Sequence, residues 1–225
     1  MVLFCHAPPS LLAQAADYLG DTHVYDTPAK GELEPEYWFD YGRRRDVSKD
    51  FTRHWAMLEY GITERWMAEL RGQFGRESGE SLRFEKGELE TRWRLGEKGA
   101  AFLDAASFLE LEIEHEEDED ELAIEPGLII SRDFGRLNLT ANLSYEVPFE
   151  SGSGSFHSAL AAGWRLSRII RLAGEYRHNW REDRISLIPQ FWFIPRENVF
   201  VKIGYSFGVA EQKESFLRAA LEVEF

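Results

Sequence analysis

In the stretch "FLRAALEVEF", residues 216–225, apolar side chains alternate with polar or small ones from Leu217 to the last residue. One side of the alternation carries Leu217, Ala219, Leu221, Val223 and Phe225. The other side carries Arg218, Ala220, Glu222 and Glu224. A period of two residues is typical of a β-strand whose two faces meet different environments. The fold therefore depends on how often this pattern recurs and on what covers each face.

The composition excludes several classes of protein. The chain has 225 residues, a formal net charge of −14 and a single cysteine, Cys5. The negative charge argues against a nucleic-acid partner, because phosphate binding needs a basic surface. The single cysteine excludes an internal disulfide. No run of eighteen apolar residues occurs, which excludes a transmembrane helix but not a membrane barrel, since barrel strands alternate.

The two-residue period recurs in twelve stretches after Gly31, each about long enough for a tilted strand to cross a bilayer. They cover residues 33–43, 52–60, 64–75, 86–95, 101–114, 121–132, 136–147, 155–166, 169–180, 184–194, 198–207 and 215–225. The pattern predicts an all-β fold: a single antiparallel up-and-down transmembrane β-barrel of about 12 strands over residues 31–225.

The first thirty residues stand outside this pattern. Residues 1–15 form a possible, incomplete signal peptide: Ala13, Gln14 and Ala15 have the small-x-small form of a cleavage site, yet no Lys or Arg lies near Met1. Residues 16–30 are interpreted as a periplasmic lead-in or, alternatively, as a short plug.

The breaks between the stretches also alternate in kind. Breaks after even-numbered stretches are tight, whereas several after odd-numbered stretches are longer or more polar, for example 76–85 and the acidic run 115–121. Short turns at one rim and longer loops at the other are typical of outer-membrane barrels. The pattern predicts that both termini lie at the short-turn, periplasmic rim.

Away from the ends of the twelve stretches, one face has no acid, Lys or Arg, and the other is crowded with charge. So many charges in the core of a soluble barrel would be very costly, and a twelve-stranded barrel is wider than side chains alone fill. The charged face is therefore predicted to line a wet lumen; the alternative is a charged exterior around a wide apolar core. The predicted lumen-lining residues are Glu34, Glu36, Asp40, Glu59, Glu69, Arg71, Glu88, Glu90, Arg92, Arg94, Asp104, Glu110, Glu112, Glu125, Arg165, Arg171, Glu175, Arg177, Lys202, Arg218 and Glu222.

The aromatic residues of the apolar face fall at two heights along the stretches. Such banding predicts two membrane girdles, because amphipathic rings prefer the headgroup layer. The predicted girdle residues are Tyr41, Tyr60, Trp66, Phe74, Trp93, Tyr145, Phe156, Trp164, Tyr176, Phe193, Phe207 and Phe225.

These features resemble the bacterial outer-membrane β-barrel proteins of Gram-negative cells, whose last strand ends in Phe, as "ALEVEF" does at residues 220–225. The stretch "LEYGITERW", residues 58–66, weakly resembles the putative outer-membrane transporters of the phenol-degradation meta-pathway family. The resemblance implies a location in the bacterial outer membrane. It implies outer-membrane lipid as a partner, and the barrel-assembly machinery as a second one acting through the C-terminal strand.

Three functions remain open at this stage. The first is a channel or transporter-like porin for small polar solutes, with an acidic excess that favours cations. The second is a structural barrel whose interior is closed by salt bridges. The third, an outer-membrane lipid hydrolase, would need a nucleophile and a base within reach. His54, His157 and His178 have Ser155, Ser158 and Asn179 near them in sequence, but no nucleophile motif is present, so no enzyme is predicted.

No cofactor and no metal site is predicted. The acidic stretch "EIEHEEDEDE", residues 112–121, has the oxygen ligands that Ca²⁺ and Mg²⁺ prefer. It lacks the glycine and the spacing of an EF-hand loop. A solvated surface loop is therefore the preferred interpretation of this stretch.

Overall fold

The structure is a computed structural model that describes residues 18–20, 22–46, 48–115, 120–150 and 153–225. The possible signal peptide, residues 1–15, lies outside the described residues. All twelve predicted strands are confirmed, each with both ends within about three residues of the prediction. Their bounds are β1 Leu33–Arg44, β2 Lys49–Thr63, β3 Trp66–Glu77, β4 Arg83–Arg94, β5 Asp104–His115, β6 Asp120–Phe134, β7 Leu137–Pro148, β8 Ser155–Arg165, β9 Ile170–Asn179, β10 Arg184–Arg196, β11 Val199–Ala210 and β12 Glu214–Val223.

The twelve strands form one closed barrel in which each strand pairs with its neighbours in the chain. Closure is made by β1 and β12, which pair antiparallel from Glu36 opposite Glu222 to Arg44 opposite Glu214. The terminal residue takes part: Phe225 N donates to Leu33 O at 3.1 Å, and Leu33 N donates to Phe225 O at 3.3 Å. The predicted all-β, antiparallel, up-and-down architecture is confirmed. The described part of the chain contains no helix that is both long and apolar enough to span a membrane.

The alternation in the sequence is an alternation of burial in the barrel. In β12, Arg218, Ala220 and Glu222 are buried, whereas Leu217 and Leu221 are exposed. The same holds for β3, whose burial changes at almost every step along the strand. A closed sheet has only an inside and an outside, so a two-residue period places alternate side chains on opposite surfaces. The charged face is the inner one and the apolar face is the outer one.

The connections between strands lie at two rims. The terminal rim, where β1 starts and β12 ends, contains residues 64–65, 95–103, 135–136, 166–169 and 197–198. The loop rim contains residues 45–48, 78–82, 116–119, 149–154, 180–183 and 211–213. The tight turns predicted after the even-numbered strands are present at the terminal rim, with one exception. The longest connection, 95–103, also lies at this rim, whereas the longer loops were predicted at the other one.

The loop-rim connections are short because the strands continue into the charged segments that looked like loops. Lys49 and Asp50 pair with Arg44 and Arg43 in the β1–β2 ladder. Their side chains make cross-strand ion pairs, such as Lys49 Nζ to Glu77 Oε2 at 2.8 Å. Opposite charges across a ladder support strand pairing, so polarity alone did not mark the strand ends.

The predicted girdle residues all lie on the outer surface or at its edge. Ten of the twelve are exposed, from Trp93 at 37% to Phe225 at 74%. Trp66 and Tyr176 are half-buried. Trp66 stacks on Trp93 with ring centroids 6.0 Å apart and donates from Nε1 to Thr91 Oγ1 at 2.6 Å. Their assignment to membrane interfaces remains a prediction.

Candidate functional site

The charged inner surface is the candidate functional site. All 21 of the predicted lumen residues are buried or half-buried. The half-buried ones are Glu59, Arg94, Glu112, Glu125, Arg165 and Arg177. The remaining fifteen are buried. Among the described residues no apolar core of large radius occupies the interior. The charged side chains instead contact one another and a segment of the chain's own N-terminal part.

Ion pairs between strands neutralise much of this charge. Lys202 Nζ lies between Glu36 Oε1 at 2.8 Å and Glu222 Oε2 at 2.6 Å, and it is fully buried. Arg218 makes a two-pronged contact with Asp40, Nε to Oδ1 and Nη2 to Oδ2, both at 2.6 Å. Buried charges persist when they are paired and hydrogen-bonded in this way.

Residues 18–20 and 22–30, termed the plug segment, lie in the part of the lumen next to the terminal rim. Tyr18, Leu19, Thr22, Val24 and Tyr25 are each at most 3% exposed. In the sequence, only the isolated apolar residues of this segment, which has no two-residue period, indicated that it could be buried. In the structure these residues pack against the inner wall of the barrel.

Glu175 of β9 is the principal anchor of the plug segment. Its carboxylate accepts hydrogen bonds from Gly20 N, from Thr22 N at 3.2 Å and from Thr22 Oγ1 at 2.6 Å. The Gln190 amide of β10 donates to the same carboxylate. Charge-assisted hydrogen bonds of this kind are about twice as strong as neutral ones. Glu175, which was predicted to line the lumen, therefore binds a segment of the chain.

Three further strands hold the plug segment from other sides of the barrel. Arg218 Nη1 of β12 donates to Leu19 O at 2.6 Å. Arg92 Nη1 of β4 donates to Val24 O at 3.2 Å. Asn142 Nδ2 of β7 donates to His23 O at 3.0 Å. Because strands β4, β7 and β12, which lie apart around the barrel, all donate hydrogen bonds to its backbone carbonyls, the segment crosses the lumen.

The plug segment leaves the barrel at the terminal rim. Tyr25 Oη donates to Gly96 O at 2.8 Å, and Lys98 Nζ lies 2.6 Å from Asp26 Oδ2. Burial opposes the charge on Lys98, but the Asp26 and Asp133 carboxylates outweigh it and raise the pKa of Lys98. A Cβ on Gly61 would come within 2.0 Å of Ala29 O, so only glycine allows the segment to pass this close.

A cavity of about 710 Å³, termed the vestibule, lies between the plug segment and the loop rim. His23 and Asn142 form part of its floor. Strands β5 to β7 give its wall the acids Glu110, Glu112, Glu114, Glu121, Glu125 and Glu146. Residues 177–184 give the opposite wall Arg177, Arg181 and Arg184, together with Glu182. Lys86 of β4 also lines the cavity, beside Glu112. Most acids of the vestibule therefore lie on strands β5 to β7, and its arginines lie along residues 177–184.

The histidines and serines considered for a hydrolase have other partners. His157 lies 3.2 Å from Glu125 Oε2 through Nδ1 and 3.4 Å from Glu146 Oε2 through Nε2. Ser155 Oγ donates to Asn179 Oδ1 at 2.8 Å. Ser158 Oγ accepts from Trp180 Nε1 at 3.0 Å, on the outer face. Neither serine has a hydrogen bond to a histidine.

His54, His178 and His115 lie on the outer face or at the loop rim. His54 Nδ1 is 2.6 Å from the Tyr37 hydroxyl, and His178 Nε2 is 3.2 Å from Asp183 Oδ1. His115 pairs with Asp120 at 2.5 Å, at the edge of the acidic stretch. The core of that stretch, residues 116–119, lies outside the described residues.

Solved structures of similar shape are outer-membrane barrels. An outer membrane channel from Pseudomonas putida superposes with a TM-score of 0.65, covering 91% of this chain and 99% of that chain at 10% identity. The KdgM porin in complex with disordered oligogalacturonate superposes with a TM-score of 0.64, covering 85% and 99% at 7% identity. Outer membrane phospholipase A from Escherichia coli superposes with a TM-score of 0.56, covering 94% and 95% at 10% identity.

At these identities the likeness establishes the fold of the barrel and nothing finer. No family model matches the chain. No curated protein matches it either. The resemblance of residues 58–66 to the meta-pathway transporters therefore has no support from a sequence relative; in the structure these residues are the hairpin that joins β2 and β3.

Proposed function

We propose that the protein is a channel of the bacterial outer membrane for small polar solutes, with a preference for cations. The observation that carries the proposal is the inverted polarity of a twelve-stranded barrel: charges inside, apolar side chains outside. A charged interior of this width is stable when water or polar groups fill it. The acidic excess, 40 Asp and Glu against 26 Lys and Arg over the whole chain, favours cation passage.

The outer surface supports the membrane location. Large exposed apolar residues occur on every strand, among them Leu70 at 61% and Leu160 at 57%. A continuous apolar surface of this kind is rare on soluble monomers and is typical of the lipid face of a membrane barrel. The proposal places outer-membrane lipid against this face and assigns recognition by the barrel-assembly machinery to β12 and Phe225.

A charge in the middle of the lipid face tests this location. Leu160→Arg, near the middle of β8, should destabilise the folded protein in bilayers by about 2–4 kcal/mol, because the guanidinium would lie at the bilayer midplane. Leu166→Arg, at the terminal rim, should cost about 0–1 kcal/mol. Urea unfolding in phospholipid vesicles measures both. Equal effects of the two substitutions would argue against a lipid face.

Residues 18–30 are proposed to act as a plug rather than as a passive periplasmic lead-in. The support is their hydrogen bonding to Glu175, Arg218, Arg92 and Asn142, which lie on four different strands. Water and solutes must pass beside the plug segment or displace it. The channel is therefore narrow, with the vestibule as its entrance from the loop rim.

Conductance in a planar bilayer tests the channel. The purified, folded protein should show unitary steps, and a salt gradient should give a reversal potential of the sign expected for cation passage. The six acids of the vestibule are the physical reason. Absence of steps, with the fold verified by its resistance to unfolding in detergent at room temperature, would leave the closed barrel as the function.

The closed structural barrel is the second candidate, and the plug segment is the observation that favours it. The buried ion pairs of Lys202 and Arg218 would then serve only to stabilise the interior. An enzyme is not proposed, because Ser155 and Ser158 hydrogen-bond to Asn179 and Trp180 and not to a base. The shape shared with outer membrane phospholipase A is a likeness of fold alone.

A further inference from the structure

The inner wall uses one arrangement twice to neutralise facing carboxylates. Glu36 and Glu222 are direct partners in the β1–β12 ladder, and the Lys202 ammonium lies between them. Glu88 and Glu112 are direct partners in the β4–β5 ladder. The Lys86 ammonium lies 2.7 Å from a carboxylate oxygen of each. An ammonium between two opposed glutamates is thus a stable arrangement in this barrel.

Other opposed glutamates of the inner wall, such as Glu90 and Glu110, have no lysine of the described residues between them, and one such pair stands in the vestibule. Glu114 and Glu121 are direct partners in the β5–β6 ladder and both line the vestibule. Neither makes an ion pair or hydrogen bond with a described residue. Like charges directly opposite one another on a sheet destabilise the pairing. Lys86 is the ladder partner of Glu114, but its ammonium lies on Glu88 and Glu112. The pair therefore has the opposed geometry that holds an ammonium elsewhere in the same barrel, and no lysine of the described chain lies between its two carboxylates.

The opposite wall of the vestibule has the complementary group. Arg177 is half-buried, points inward from β9 and lines the vestibule. Its partners in the neighbouring ladders are Ala159 and Ser186, neither of which is an anion. Its neighbour Glu175 is already bonded to the plug segment. A guanidinium has five donors in a fork that matches a carboxylate.

The floor of the vestibule contains an unfilled acceptor. Asn142 is only 5% exposed and lines the vestibule. Its Nδ2 donates to His23 O at 3.0 Å, while its Oδ1 has no hydrogen-bond partner in the described chain. A buried carbonyl oxygen without a donor is uncommon in native proteins. An amide N–H that entered the floor would complete its hydrogen bonding.

We propose that the vestibule binds a short peptide as a zwitterion, with its ammonium between Glu114 and Glu121 and its carboxylate on Arg177. The amide N–H groups between the two charges would face Asn142. A cavity of about 710 Å³ is within the size range of small-molecule sites. The inference rests on the proposed channel function, for which it names the solute class.

Isothermal titration calorimetry on the full chain in lipid nanodiscs tests the site with three probes of one backbone. Triglycine has both charges, N-acetyl-triglycine lacks the ammonium, and triglycine amide lacks the carboxylate. Each blocked form should bind at least about tenfold more weakly, since hydrogen bonds to charged groups are the strong ones. 6-Aminohexanoate, which has both charges but no amide, should bind more weakly than triglycine.

Two variants test which side chains bind the carboxylate and the ammonium of the peptide. Arg177→Gln should lower triglycine affinity about tenfold and abolish the preference for triglycine over its amide. Glu121→Gln should instead abolish the preference over N-acetyl-triglycine. Arg168→Gln and Glu150→Gln, exposed residues outside the vestibule, are matched controls and should change neither preference.

The result that overturns the proposal is equal affinity for the three probes, no binding to folded protein, or unchanged preferences in both variants. Calorimetry does not depend on conduction. Peptide binding without unitary conductance would therefore reject the channel and keep the binding site. Conductance without peptide binding would keep the channel and reject the site.

Discussion

Removing the plug segment should raise unitary conductance several-fold. A variant that begins at Gly31 lacks the residues that cross the lumen between Glu175, Arg92 and Arg218. The resistance of a pore is dominated by its narrowest part, and the proposal places that part where Tyr18, Leu19 and Tyr25 are buried in the lumen near the terminal rim. Once they are removed, water can hydrate the charges they cover. Single-channel recording in the same salt as for the full chain measures the effect.

The control for this prediction is a variant that begins at Tyr18. It separates the plug segment from the preceding residues, which lie outside the described part of the chain. The Tyr18 variant should conduct like the full chain if the plug segment alone obstructs the path. Equal conductance of the Gly31 variant and the full chain would show that the plug segment does not limit passage.

Replacing Arg218 should produce the largest loss of stability of any single substitution in the lumen. Arg218→Met leaves the carboxylate of Asp40, which is fully buried, without its two 2.6 Å hydrogen bonds. It also removes the guanidinium stacked 4.2 Å from the Trp38 ring and the donor to Leu19 O. Leaving a buried charge without its partner typically costs about 3–5 kcal/mol. Urea unfolding in detergent micelles or vesicles measures the loss.

The double variant Arg218→Met with Asp40→Leu identifies the cause. If the loss comes from the uncompensated Asp40 carboxylate, removing that carboxylate as well should restore most of the stability, since apolar replacement of a buried pair is often neutral. Arg184→Gln, which breaks an exposed ion pair with Glu182, should change stability by less than about 1 kcal/mol. A double variant as unstable as Arg218→Met would place the cost in the lost contacts with Trp38 and Leu19 instead.

The number of strands and the residues that share a face were predictable because both follow from a local rule. Side chains of a strand alternate between two faces, so Arg218 and Glu222 must share the surface opposite Leu217 and Leu221. The rule does not predict where a strand ends when the next residues are polar but still paired. Lys49 and Asp50 belong to β2 for this reason, although they looked like part of a loop.

The ion-pair partners of the charged lumen residues were not predictable from their spacing in the sequence. Asp40 and Arg218 are 178 residues apart and meet only because β1 closes on β12. The vestibule acids and Arg177 likewise share a cavity because β5 and β9 bound the same lumen. Sequence reasoning placed these residues on one surface, and the closure of the barrel decided which of them touch.

The sequence by itself determined twelve antiparallel strands with charged and apolar side chains on opposite faces, since a two-residue period is a property of each strand alone. The number of charges and the width of a twelve-stranded barrel then favoured the charged face as the inner one. Only the tertiary structure decided that the plug segment lies inside the lumen and that a vestibule remains between it and the loop rim. The plug segment has no period of its own. Its place depends on hydrogen bonds to four strands, and these strands come together only when the barrel closes.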